Sequence, residues 1–211
     1  RPRERVTIFA ALTSRERALS MLWRAQVASG GNVTSFELMS RFSVGLVYKH
    51  IPGARDPLDK EYPWYALIEF SSGRDGALRE EAEAILADAF EAGDIVDAAI
   101  AENDAQANAF WHLRHVISVA MRPEGAQAKY DVSVPVASVP KFLTDAGAAV
   151  EKVCPGARII AFGHMGDGNI HYDVLQAEGG DRAIFDAAED RIEQAVYDVI
   201  DRHKGSISAE H

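Results

Sequence analysis

The sequence contains a single cysteine, Cys154, so it can form no internal disulfide and offers no thiolate cluster for a metal. It has no run of about 18 apolar residues, the length that a membrane span needs. Positive charge is also scarce, since 22 Lys and Arg residues stand against 32 Asp and Glu residues. The resulting net charge of −10 argues against nucleic acid as a partner, because phosphate binding requires a basic surface.

No signal peptide opens the chain, which predicts a cytoplasmic protein. The first residue is Arg1 rather than Met, and His211 ends the chain directly after a strand-like run. We therefore expect the sequence to be a piece of a longer protein. Its composition, 47% hydrophobic and 26% charged, is typical of a globular protein. A homodimer is compatible with this composition, although the sequence does not define the oligomeric state.

Hydrophobic periodicity predicts two similar series of elements. Each series has the order strand, helix, strand, strand, helix, strand, which is typical of a ferredoxin-like unit. The predicted fold class is therefore α+β, with two ferredoxin-like βαββαβ units whose antiparallel sheet is covered by helices. The first half is predicted over residues 1–102 and the second over 103–211, and an amphipathic helix at 103–121 joins them.

A glycine-rich stretch between two short apolar runs has the greatest density of chemically active side chains. Its dipeptide Asp167-Gly168 is a strong hairpin signal, because a type I′ turn needs positive φ at both central positions. A two-residue turn there would place His164 opposite His171, with Cβ atoms roughly 5 Å apart on one face of a sheet. Such a pair can bind one divalent ion, and Asp173 points to the same face. The alternative is that both histidines are structural residues.

Two further groups of residues could contribute chemistry. Arg114 and Ser118 are four residues apart on the predicted joining helix, and Lys129 begins the next strand, so together they would suit a carboxylate-bearing small molecule. The alternative is a solvated helix face beside a strand-end lysine. Glu210 and His211 could supply a third metal ligand and a general base, and the alternative is that they form an unstructured tail.

The glycine-rich stretch resembles a signature of the C-terminal substrate domain of FAD-linked oxidases, the group that contains D-lactate, glycolate and D-2-hydroxyglutarate dehydrogenases. That signature, G-H-x-G-D-G-N-x-H, is matched by Gly163-His164-Met165-Gly166-Asp167-Gly168-Asn169-Ile170-His171. The start of the family's second signature, S-x-E-H-G, is similar to Ser208-Ala209-Glu210-His211. Residues 110–114 and 129–135 also match the family pattern in the right order. Two separated motifs make this resemblance far more specific than a lone glycine-rich loop.

The resemblance implies a catalytic metal site. His164, His171 and Glu210 are implied as ligands of a divalent metal, zinc or manganese, close to the flavin. His211 is implied as the base that accepts the substrate's hydroxyl proton, and Arg114 as the group that binds the substrate carboxylate. The implied reaction oxidises a 2-hydroxy acid to a 2-oxo acid with hydride transfer to FAD, and the electron acceptor that follows FAD is not identified.

Three more positions are implied as substrate contacts. Ser118, Lys129 and Asp173 correspond to positions where members that prefer a second carboxylate or a polar tail contact the substrate. The form Lys129-Tyr130-Asp131 is more similar to the D-2-hydroxyglutarate subgroup than to the D-lactate subgroup. Ser118 replaces the usual threonine and keeps its hydroxyl.

The resemblance also implies that the complete protein has regions that this sequence does not contain. Family members carry an N-terminal domain that binds FAD, and we expect neither that domain nor the remainder of the second signature within these 211 residues. The isolated chain is therefore expected to be inactive. Two other functions stay open at this point: a metal-dependent hydrolase with the same ligands and a bound water, and a non-catalytic ferredoxin-like binding module.

Overall fold

The computed structural model describes residues 4–73 and 76–207. Strands occupy Glu4–Leu12 (β1), Val33–Ser40 (β2), Trp64–Ser72 (β3), Asp97–Ile100 (β4), Gln127–Ser133 (β5), Arg158–His164 (β6), Asn169–Leu175 (β7) and Ser206–Ile207 (β8). Helices occupy Arg15–Ala28 (α1), Arg41–His50 (α2), Leu78–Glu91 (α3), Asp104–His115 (α4), Ile117–Ala120 (α5), Val139–Val153 (α6), Arg182–Asp186 (α7) and Glu189–Arg202 (α8). The chain divides into two compact units, Arg1–Ile117 and Ser118–His211.

The two units repeat one strand order. In the first unit the order across the sheet is β4-β1-β3-β2, and in the second it is β6-β7-β5-β8. When the four strands of each unit are numbered 1 to 4 along the chain, the first unit has the order 4-1-3-2 and the second unit has the reverse order. The strand pairs within each unit are antiparallel. This arrangement confirms the predicted α+β class with two ferredoxin-like units.

Packing in the first unit centres on β1, which is buried at seven consecutive positions. A strand buried in this way is covered on both faces. The Phe9 ring lies 5.3 Å from the ring of Tyr65 and 5.9 Å from that of Phe110, so α4 covers the Phe9 side of the sheet. Ser14 caps α1, as its hydroxyl accepts a hydrogen bond of 3.3 Å from the backbone N–H of Arg17.

The predicted joining helix is interrupted. The prediction of one continuous helix over 103–121 is wrong, because α4 ends at His115 and Val116 leaves helical geometry with φ −93° and ψ 1°. Residues 182–202 likewise contain two separate helices, α7 and α8. Within the described ranges, no helix combines the length and apolar character that crossing a lipid bilayer demands.

In the second unit, helices α6 and α8 cover one face of the sheet. The opposite face carries polar side chains beside buried Ile160, Phe162 and Leu175. Tyr130 and Tyr172 are register partners on the covered face, and their rings lie 6.0 Å from Tyr197 of α8 and 5.7 Å from Phe142 of α6, respectively. Side chains alternate between the two faces of a strand, so the residues that flank these tyrosines project to the opposite face. Of the predicted site residues, Lys129, His171 and Asp173 lie on that second face.

Candidate functional site

The candidate site is a polar face on the sheet of the second unit, formed by Lys129, Asp131, His171 and Asp173. The strand register pairs Lys129 with Asp173 and Asp131 with His171. Along β5 the flanking residues 128, 130 and 132 are buried, whereas Lys129 is exposed and Asp131 is partly exposed. Alternation along two neighbouring strands therefore brings four chemically active side chains together on one side of the sheet.

The His171 ring is held from both sides on this face. Its Nδ1 lies 2.5 Å from Asp131 Oδ1 on β5, and the Phe162 ring on β6 lies 4.7 Å from its centroid. An ionised carboxylate can only accept hydrogen bonds, so the Nδ1 proton is donated to Asp131. In the neutral imidazole, a proton on Nδ1 leaves Nε2 as the atom whose lone pair can bind a ligand. The side chain is 27% exposed, which leaves it accessible to a ligand.

The predicted register between the two histidines is wrong by two residues. In the structure His171 faces Phe162 across β6 and β7, not His164. Continuing this register toward the turn places His164, the last residue of β6, one diagonal step from His171. Diagonal neighbours are separated by roughly 7–8 Å, a distance that long side chains still span. An even shift of two leaves both histidines on the same face of the sheet.

The cause of the shift is the conformation of the turn. Met165–Asp167 form a single 3-10 turn, and only Gly168 adopts the left-handed conformation, with φ 74° and ψ 11°. A type I′ turn would also need positive φ at Asp167, and Lys204 is the only non-glycine residue in the described part of the chain with positive φ. The Gly168 carbonyl accepts a 3.0 Å hydrogen bond from Val134 N–H, which fixes the turn against the end of β5.

Asp173 is a buried carboxyl in this face. It is only 3% exposed, and burial raises its pKa to about 7, with the Lys129 ammonium opposing the rise and the Asp131 carboxylate adding to it. Burial disfavours the charged form of a carboxyl, which is why the pKa increases. A neutral Asp173 can donate a hydrogen bond as well as accept one, whereas exposed Lys129 offers a positive charge to an anion.

Arg114 lies in the first unit, in the last turn of α4. Its Nε donates a 2.7 Å hydrogen bond to Glu37 Oε2, and the Glu37 side chain is completely buried. Ser35 Oγ also lies 3.2 Å from Glu37 Oε1. Ser118 lies in α5, beyond the interruption after α4, so the predicted single helix face for Arg114 and Ser118 does not exist. Their convergence with Lys129 on one substrate stays a prediction.

The predicted metal ligands are only partly described. The polar face fits one part of a divalent site, because His171 presents Nε2 while a carboxylate holds Nδ1, and His164 follows on the same face. Within residues 4–73 and 76–207, no group of three His, Cys, Asp or Glu side chains is arranged to hold a metal. The implied third ligand Glu210 and the implied base His211 lie outside the described residues.

Two functional candidates were missed from the sequence. Asp131 could have been found, because it alternates with Lys129 on one strand and both therefore share a face. Glu37 carried no comparable signal beyond being the single charged residue of β2. Its contact with Arg114 joins residues 77 positions apart and depends on how α4 packs on the sheet.

Comparisons with known proteins give one consistent result. The sequence profile described as "FAD linked oxidases, C-terminal domain" matches residues 1–211. A mitochondrial D-2-hydroxyglutarate dehydrogenase from Arabidopsis thaliana is 34% identical over 191 residues, which cover 90% of this chain and 33% of the relative. A D-2-hydroxyglutarate dehydrogenase from Xanthomonas citri pv. viticola is 34% identical over 189 residues, covering 90% of this chain and 38% of the relative.

Solved structures show the same fold at low sequence identity. The crystal structure of p-cresol methylhydroxylase with substrate bound aligns over 98% of this chain and 45% of that chain, with a TM-score of 0.66 and 10% identity. The chain spans about a third of the length of the curated relatives that it matches (33% and 38% for those named above).

Proposed function

Because the chain belongs to the FAD linked oxidase C-terminal domain family, we propose that it is the substrate domain of an FAD-dependent D-2-hydroxy acid dehydrogenase. The reaction proposed for the whole protein is oxidation of a 2-hydroxy acid to a 2-oxo acid with hydride transfer to FAD. The observation that supports a catalytic site here is the polar face, where a carboxylate orients the His171 imidazole beside Lys129 and Asp173.

Each proposed role rests on the resemblance to the family and agrees with the chemistry of the side chain. His164, His171 and Glu210 would hold a divalent metal, zinc or manganese, through imidazole nitrogen and carboxylate oxygen. When bound, the metal supplies Lewis-acid polarisation of the substrate hydroxyl, and FAD supplies a hydride acceptor. His211 would accept the hydroxyl proton, since a neutral imidazole is a base near physiological pH.

Four side chains are proposed as substrate contacts, namely Arg114, Ser118, Lys129 and Asp173. Arg114 would bind the carboxylate next to the hydroxyl group, with its guanidinium oriented by Glu37 at Nε. Lys129 is exposed on the polar face and would attract a second carboxylate, with Ser118 and Asp173 as further polar contacts. We therefore propose a diacid of the D-2-hydroxyglutarate type as the preferred substrate and D-lactate as a poorer one.

We further propose a cytoplasmic location and a homodimer for the whole protein, and both rest on the sequence alone. Fractionation of cells that produce the full-length gene product tests the location. Light scattering coupled to gel filtration tests the oligomeric state, with a mass of two chains as the expected result.

The decisive experiment is dye-linked oxidation by the full-length gene product. D-2-hydroxyglutarate and D-lactate are compared before chelation, after chelation and after metal add-back, in the unaltered protein and in His171→Ala. His203→Asn is the matched control, because His203 is paired with Asp145 at 2.9 Å, between α6 and the end of α8. We expect turnover that favours the diacid and is lost on chelation and in His171→Ala but not in His203→Asn.

Other outcomes would contradict the proposal. Turnover that is indifferent to chelator would remove the metal from the mechanism. Hydrolytic turnover without an electron acceptor would favour the hydrolase, and no turnover of either acid by flavin-loaded protein would favour a binding module.

A further inference from the structure

Asp131 has no assigned role, yet it makes the closest polar contact on the candidate site's face. Its Oδ1 lies 2.5 Å from His171 Nδ1, and the backbone register places the two residues directly opposite each other on β5 and β7. The contact is therefore set by the pairing of two strands and not by one flexible side chain reaching across the surface.

The two ring nitrogens of His171 have different tasks in this arrangement. Since an ionised carboxylate accepts but cannot donate, Asp131 keeps the proton on Nδ1 and leaves the lone pair on Nε2. Phe162 lies 4.7 Å from the ring on the neighbouring strand, with 31° between the ring planes, and restricts its rotation. Both the tautomer and the orientation of the ring are thus defined before any ligand arrives.

We propose that Asp131 is a positioning residue that fixes His171 for binding a divalent cation through Nε2. This inference deepens the proposed function and rests on it. A carboxylate on the outer nitrogen of a metal-binding imidazole increases the basicity of the inner nitrogen, and losing such a partner typically weakens metal affinity by about 10–100-fold. Asp131 is 43% exposed on its side chain, so replacing it leaves no deep cavity.

The unit contains a matched Asp–His pair that serves as a control. Asp145 Oδ2 lies 2.9 Å from His203 Nε2, and Asp145 also contacts Lys141 on α6. This second pair involves the helices and not the polar face. Asp145→Ala therefore removes a carboxylate from a histidine in the same unit without altering His171.

The experiment measures Zn²⁺ affinity of the full-length protein by competition with a chromophoric chelator, and then the visible absorption of the Co²⁺-loaded protein. Asp131→Ala is expected to weaken Zn²⁺ binding by about 10–100-fold and to change the Co²⁺ spectrum at saturation. Asp131→Asn keeps an oxygen that accepts from Nδ1–H, so it should recover most of the lost affinity. Asp145→Ala should match the unaltered protein in both measurements.

The outcomes separate this inference from the proposed function. If the unaltered protein binds Zn²⁺ and His171→Ala does not, but Asp131→Ala binds as tightly as Asp145→Ala, the role of Asp131 is refuted and the metal site stands. If Asp131→Asn is as weak as Asp131→Ala, positioning through the accepted hydrogen bond is refuted. If the unaltered protein binds no Zn²⁺, both the site and this inference fail.

Discussion

Gly168 lies in the turn between β6 and β7, and replacing it by alanine should lower the stability of the hairpin that carries both histidines. A Cβ at position 168 would lie 2.0 Å from the carbonyl oxygen of Val134, and the backbone there has φ +74°. The left-handed conformation costs alanine about 1–2 kcal/mol. The overlap with a backbone oxygen adds about 1–3 kcal/mol, as overpacking typically does. We expect a total loss of about 2–5 kcal/mol in the stability of this hairpin.

Gly166 is the matched control in the same turn. A Cβ at position 166 meets no atom within 4 Å, and Gly166 is absent from the residues with positive φ. Gly166→Ala should therefore change local stability by less than about 0.5 kcal/mol, or stabilise slightly by restricting the unfolded chain.

Hydrogen exchange followed by mass spectrometry reports local opening in the full-length protein. A loss of about 2–5 kcal/mol corresponds to roughly 30- to 4,000-fold faster exchange of the β6 and β7 amides, since every 1.4 kcal/mol is tenfold. Gly166→Ala should remain within about threefold of the unaltered protein. Equal exchange in the two variants would refute the assignment of Gly168 as the residue that fixes this register.

Further variants test three separate parts of the structure. Glu37→Ala and Arg114→Ala each remove one member of the buried ion pair and should cost about 3–5 kcal/mol in a urea titration, whereas replacing both by leucine and methionine should cost less than either single replacement. A loss below about 1 kcal/mol for either single variant would contradict the buried pair. Lys129→Met should increase KM for D-2-hydroxyglutarate at least tenfold more than for D-lactate, and equal effects would remove Lys129 from substrate choice. Trp23→Ser should change stability by less than about 0.5 kcal/mol because the side chain is 69% exposed, and a larger loss would mean that Trp23 is packed.

Hydrophobic periodicity predicted the elements well and the exposure of single side chains less well. Phe110 and Leu113 of the predicted joining helix are apolar and are 7% and 2% exposed. On α1 the apolar residue Leu22 is 2% exposed, whereas the apolar residues Trp23 and Val27 are 69% and 62% exposed. Periodicity identifies a helix that has an apolar side, but the width of the buried stripe depends on what packs against it.

The turn could not be predicted from its own residues. Asp167-Gly168 favours a type I′ hairpin locally, yet the structure has a 3-10 turn with only Gly168 left-handed. The long-range hydrogen bond from Val134 N–H to the Gly168 carbonyl joins the turn to a segment 34 positions earlier in the chain. A local rule for turns contains no information about such a contact, so the sequence predicted the hairpin and missed its register.

The same two-residue error explains why the site was still partly predictable. Side chains alternate along a strand with period two, so a shift of two moves His164 away from His171 without moving either to the other face. A shift of one would have placed His171 among the core residues beneath α6 and α8. In the observed register the neighbours of His171 are Phe162 and Asp131. The glycine-rich stretch and the Lys-Tyr-Asp strand, which look like separate motifs in the sequence, therefore form one row of contacts. For this reason a mutation of Asp131 in β5 should weaken the proposed metal binding through His171 in the hairpin.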